Sequence, residues 1–154
     1  MRAFKISDIN IKIFMHKLLK EDTFDNFEIR GIEICSFTKF EISGVLNDNE
    51  QSDDIKVKFC RWENLKPYVF QIIKGNRKPS SIKIIFSLPS DEVDALHTNA
   101  SALFLNMIFN GTEVVLTTAT SQKTFSLDKV IDTFWSDHVA AFFDKNEIPV
   151  SIIE

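Results

Sequence analysis

Between Ile55 and Lys83 the chain carries eight basic residues against one acid, Glu63. That is a local charge of +7 in a protein whose formal net charge is −4. Aromatic residues are interleaved with the charges: Phe59, Trp62, Tyr68 and Phe70. Lysine and arginine neutralise phosphates or carboxylates, and aromatic faces stack bases. A basic surface with a stacking platform is how single-stranded nucleic acid is held. The residues assigned to an anionic ligand on this reasoning are Arg61, Trp62, Lys66, Lys74, Arg77 and Lys78. A plainer reading stays open, in which Phe59 and Trp62 are core and the lysines solvate a sheet edge. The C-terminal stretch, residues 127–154, has two basic and six acidic residues. Opposite charge at the two sites also suits a protein-interaction part, or copies associating head to tail.

Other chemistry is sparse. The stretch "IIKGNRKPSSIKI" runs helix, glycine, strand. A phosphate-binding loop runs strand, glycines, helix, because it uses the free N–H groups of a helix N-terminus. Gly75 therefore reads as a left-handed residue closing a helix. His138 adjoins Asp137, but neighbours on a helix point about 100° apart and form no dyad. It reads as a packed histidine on an apolar stripe. His16 reads as surface, and His97 lies near Asp91, Glu92 and Asp94, where a weak metal contact stays open. The acidic loop 47–54 lacks the glycine and glutamate of a calcium loop. No nucleophile elbow, zinc motif or glycine-rich nucleotide motif occurs. No catalytic residue, metal ligand or cofactor is assigned, and a binding role is expected over an enzyme, whose site would have to come from scattered residues.

Cys35 and Cys60 sit in apolar alternating stretches and read as buried free thiols in a reducing compartment. No apolar stretch approaches the roughly 20 residues of a membrane span, and "MRAFKISDIN" lacks the apolar core of a signal peptide. A cytoplasmic protein with no membrane partner is expected.

The elements that must position the basic residues follow from periodicity. Residues 3–6 suit a strand, and Ser7 caps a helix to Lys20 that buries Ile11, Phe14, Met15, Leu18 and Leu19. Lys12, His16 and Lys20 share its other face. Period-two alternation begins at Phe27, with a bulge or turn at Gly31. Strands follow over 37–46 and 55–59. Asn64 caps a second helix, with Pro67 in its first turn and Lys74 at its end. Residues 81–88 form a strand. "ALFLNMIFNGTEVVLTTA" predicts a hairpin on an Asn110-Gly111 type I′ turn, with Leu105 facing Leu116 and Met107 facing Val114. Ser126 caps a third helix to Asp144, with Leu127, Val130, Ile131, Phe134, His138, Ala141 and Phe142 on its inner stripe. "PVSII" suits an edge strand.

The expected class is therefore α+β: antiparallel sheet with three helices in a single domain, residues 1–154, with a helix-plus-β-meander unit occurring twice. The runs "MRAFKISDI", "FDNFEI", "FTKFEISGVLN" and above all "WENLKPYVFQIIKGNRKP" resemble a family of uncharacterised proteins from clostridia and related Firmicutes. That resemblance implies a bacterial, cytoplasmic protein and no established activity. The repeated order of elements also resembles one domain of a DNA sliding clamp, whose helices line a nucleic-acid channel. The resemblance implies that Lys12, His16, Lys20, Lys66 and Lys74 would face such a channel.

Overall fold

The computed structural model describes residues 1–47, 58–75 and 77–153. In chain order these form β1 (Ala3–Ile6), α1 (Ile11–Leu19), β2 (Glu28–Cys35), β3 (Lys39–Ser43), α2 (Trp62–Ile73) and β4 (Ser81–Ser87). They continue as α3 (Ser90–Leu96), β5 (Ala100–Phe109), β6 (Val114–Gln122), α4 (Val130–Lys145) and β7 (Ser151–Ile153). The expected strand over residues 55–59 lies mostly outside the described residues; Phe59 makes an isolated bridge to Val45.

All seven strands join one antiparallel sheet in the order β3-β2-β4-β5-β6-β1-β7. Alternation sends Ile32 and Ile34, Ile82, Ile84 and Phe86, and Leu105 and Met107 to one face, where they are buried. Helices α1, α2 and α4 cover that face with Phe14 and Leu18, Trp62 and Val69, and Trp135, Val139 and Phe143. Phe24, between α1 and β2, packs its ring at 5.2 Å from Phe86 and 5.7 Å from Phe14. The opposite face is a mixed surface on which Glu33, Lys83 and Ile108 stand in one cross-strand row.

The α+β class holds, and four α-helices are present among the described residues where three were expected. The fourth, α3, is a seven-residue helix in the 89–99 connection. The clamp-like duplication does not resolve into two copies. β1 pairs with β6 and β7 and not with β2, so the strands of the expected first unit are not contiguous in the single sheet.

Three local expectations change. The hairpin loop has four residues instead of two, giving the pairs Phe109↔Val114, Met107↔Leu116 and Leu105↔Thr118. The Asn110 side chain closes the loop by accepting the N–H groups of Thr112 and Glu113 at 3.0 and 2.8 Å, and Asn110 itself lacks the positive φ of a type I′ turn. The register moves by two residues, which preserves the parity of every side chain and hence the apolar face. Helix α2 begins at Trp62, two residues before the expected cap, so Pro67 lies inside it. Helix α4 is rotated from its expected setting. Ile131, Trp135, Val139 and Phe143 form its buried row, whereas Leu127, Val130, Phe134, His138 and Ala141 are exposed and Phe142 is half-buried. Trp135 decides this, because its indole fills the core and donates Nε1–H to the Phe104 carbonyl at 2.7 Å. His138 is thereby an exposed ring stacked on Trp135, not a packed one. Of the bulge or turn expected at Gly31, the structure has a bulge: the β2–β4 register shifts between Ile29 and Gly31.

Candidate anion-binding site

Helix α2 ends at Ile73, and the turn after it is tied to the end of β2. The Ser80 N–H donates to the Cys35 carbonyl at 2.8 Å, and the Ser36 hydroxyl donates to the Arg77 carbonyl at 3.3 Å. Pro79 is buried beneath the turn. The hairpin tip closes in from the side: Gly111 has φ +100, and a Cβ on it would lie 3.2 Å from the Ser80 carbonyl oxygen. Gly75 keeps a negative φ, contrary to the left-handed closure expected for it. The helix ends instead by a tightened bond from the Gly75 N–H to the Ile72 carbonyl.

On this anchored turn Lys74, Arg77 and Lys78 are exposed. Two further cations arrive from α1. Lys20 Nζ lies 5.0 Å and Lys74 Nζ 5.6 Å from the centre of the Phe70 ring, inside the range of a cation–π contact. Lys12 and Lys78 line the same groove between α1 and the hairpin. Among the described residues none of these five cations makes an ion pair with an acid. The carbonyl end of α2 favours a cation at Lys74.

The remaining predicted site residues are not brought here. Trp62 is 0% exposed, stands edge-on to Phe86 at 5.8 Å, and donates Nε1–H to the Leu18 carbonyl at 2.8 Å. It joins α2 to the end of α1 and offers no platform for a ligand. Lys66 Nζ is bonded to Asp25 Oδ1 at 2.6 Å and to the Glu21 carbonyl at 2.9 Å, with both side chains under one-fifth exposed. It is a neutralised ion pair and not part of an open patch. Arg61 precedes Trp62 at the other end of α2, a helix of 12 residues or about 18 Å, and donates to the Asn26 carbonyl. Lys83 lies on the open face of the sheet, and Lys56 lies outside the described residues. The basic segment thus divides, and only its 74–78 portion joins the cluster. Lys12 and Lys20 had a sequence signal, their eight-residue spacing on the outer face of α1. What the sequence did not supply was the packing of α1 beside α2.

A second polar cluster lies on the open face. Arg30, the extra residue of the bulge, sits 3.9 Å over the Phe59 ring and 5.2 Å from that of Phe104, and donates Nε–H to Ser87 Oγ. Burial pushes the Arg30 guanidinium below its ordinary range and the Glu28 carboxyl above its own. Phe59 is consumed by this stack, so it too is unavailable to a ligand.

Residues 17–151 match the model of a family described as a family of unknown function (DUF5721). The chain belongs to that family. The DUF5721 match takes in Lys20 and the whole 74–78 turn, and Lys12 precedes it. No curated protein and no solved structure matches the chain. Both cysteines are free, and no helix among the described residues is long and apolar enough to cross a membrane.

Proposed function

We propose that this member of the family is a non-enzymatic binding module whose ligand is anionic and docks at the C-terminal end of α2. One observation supports the reading above all: Lys74, Arg77 and Lys78 after α2 are joined by Lys12 and Lys20 from the neighbouring α1, and among the described residues none of the five is paired with an acid. Folded proteins usually intersperse charges of both signs, so an unrelieved cluster on an anchored turn is unusual unless something occupies it. Relative to the sequence reading, Trp62, Lys66 and Arg61 leave the ligand set, and Lys12 and Lys20 enter it.

Nucleic acid is the polyanion to test first. Titration of labelled single- and double-stranded oligonucleotides at low salt is the experiment. Five phosphate contacts to a single strand predict a slope of log K against log salt of about −3.5. No binding at micromolar protein removes nucleic acid from the reading.

A second reading, a part in protein–protein or homo-oligomeric assembly, rests on a different surface. Phe125, Leu127 and Phe134 are exposed around the start of α4, with Leu127 86% accessible. A contiguous exposed apolar patch marks an interaction surface. Light scattering over a concentration series tests it: a strict monomer at low and high salt counts against it.

A further inference from the structure

Two apolar grooves flank the basic turn, and Gly75 lines both. The larger has a floor of Met15, Leu19, Ile73, Ile82 and Phe109. It holds about 610 Å³, within the ~300–1,000 Å³ typical of ligand sites. Lys12 and Lys78 stand in its wall, and Asp8 is the acid that lines it. The smaller, about 470 Å³, lies among Phe37, Phe40 and Ile72, with Arg77 in its wall. Phe37 is 71% exposed, its ring edge-on to Phe40 at 5.8 Å. Each groove therefore carries a cation, and the turn forms the ridge between them.

A simple anion would satisfy the ridge and leave both grooves filled with water. A purely apolar ligand would fill the grooves and leave the cations unpaired. We infer that the occupant is an acidic, amphipathic segment of another protein, with an apolar side chain in each groove and carboxylates between them on Lys74, Arg77 and Lys78. This rests on the reading that the turn binds an anion, and it names the class of partner. Charge complementarity selects the acids. The floor of the larger groove favours side chains over nucleobases, because it is aliphatic or thioether apart from Phe109, whereas bases stack on aromatic planes; the smaller groove, with Phe37 and Phe40, accepts an apolar side chain but does not by itself discriminate. Apolar anchors beside a charged motif are a common form of peptide recognition. Arg77 and Ser80 are each bonded to the end of β2, at Ser36 and Cys35, so less order has to be imposed on Arg77 and Lys78 when the partner binds.

The test uses the full chain. A displayed library of short random peptides is selected on it, and enriched peptides are synthesised and titrated by fluorescence polarisation beside a single-stranded oligonucleotide. Enriched sequences should place acids between two apolar residues. Replacing the acids by their amides, or the apolar residues by serine, should each weaken binding about tenfold. The double variant Arg77→Glu, Lys78→Glu should do the same. Thr112→Trp, which puts an indole into the larger groove from the exposed hairpin tip, should weaken peptide binding and leave any oligonucleotide binding unchanged. Unchanged thermal midpoints establish that these surface variants remain folded. If serine replacement has no effect, the grooves contribute nothing, and this inference falls while the anion-binding reading stands. If the oligonucleotide binds and no peptide is enriched, the partner is nucleic acid and the inference is overturned. If neither binds, the anion-binding reading falls with it.

Discussion

Replacing Trp62 by phenylalanine separates a structural anchor from a ligand platform. The indole is fully buried, and its Nε1–H satisfies the Leu18 carbonyl at the C-terminal end of α1. Phenylalanine cannot donate, so a buried acceptor loses its partner at a cost of about 1–3 kcal/mol. The smaller ring also leaves roughly 40 Å³ empty, or about 1 kcal/mol at the usual cavity coefficient. A loss of about 3 kcal/mol is expected in total, before any relaxation of Phe86 and Leu18 into the space. For a chain of this length that lowers Tm by about 6–12 °C. The assay is urea and thermal unfolding of both proteins by circular dichroism, with anion affinity measured well below either midpoint. The urea midpoint should fall with unchanged slope, and affinity should hold, because Trp62 lies at the far end of α2 from the cluster. A Tm within about 2 °C of the parent, together with weakened anion binding, would refute the reasoning and restore Trp62 to the ligand set.

Further outcomes are expected elsewhere. Lys66→Met should cost roughly 1–3 kcal/mol, between an exposed and a buried ion pair, since it strands Asp25; the same variant should leave anion affinity unchanged, which a binding titration checks. Gly44→Ala should cost about 3 kcal/mol or more, read from the urea midpoint, because its Cβ would lie 1.6 Å from the Ile29 carbonyl oxygen and force the backbone apart. Glu28 has its pKa raised, chiefly by burial against the opposing pull of Ser90 and Arg30. Its contribution is therefore full below the ordinary carboxylate range and is lost as pH rises through its folded value. Glu28→Gln should accordingly match the parent in acid and exceed it in stability near neutral pH; Tm measured across that range checks the sign.

The sequence alone carried the class of fold and most of its elements, because these depend on neighbours close along the chain. The alternation of Ile82, Ile84 and Phe86 dictates one buried face of β4 wherever that strand lies in the sheet. The bulge at Gly31 was legible from a change of parity between Ile29 and Ile32. The free state of both cysteines was legible from their apolar settings, but both are half-buried where burial was expected. The hairpin shows the boundary of this kind of reasoning. Local pattern dictated its apolar face, but a two-residue slip preserves that face, so only the loop closed by Asn110 could select the register.

Charge and burial of single side chains were decided by tertiary structure. The basic segment is one stretch of sequence but three places in space, since α2 holds Arg61 and Lys74 about 18 Å apart and β4 turns Lys83 to the open face. Lys66 is paired with Asp25, 41 residues away, and Trp62 found its acceptor 44 residues away on α1. On α4, two interleaved apolar rows competed for one core, and the fit of a single indole beneath Phe104 settled which faced inward. Periodicity establishes that a helix has an apolar side. Which long-range partner neutralises a lysine, or receives an indole N–H, depends on how the elements pack, and that is where the candidate site was made.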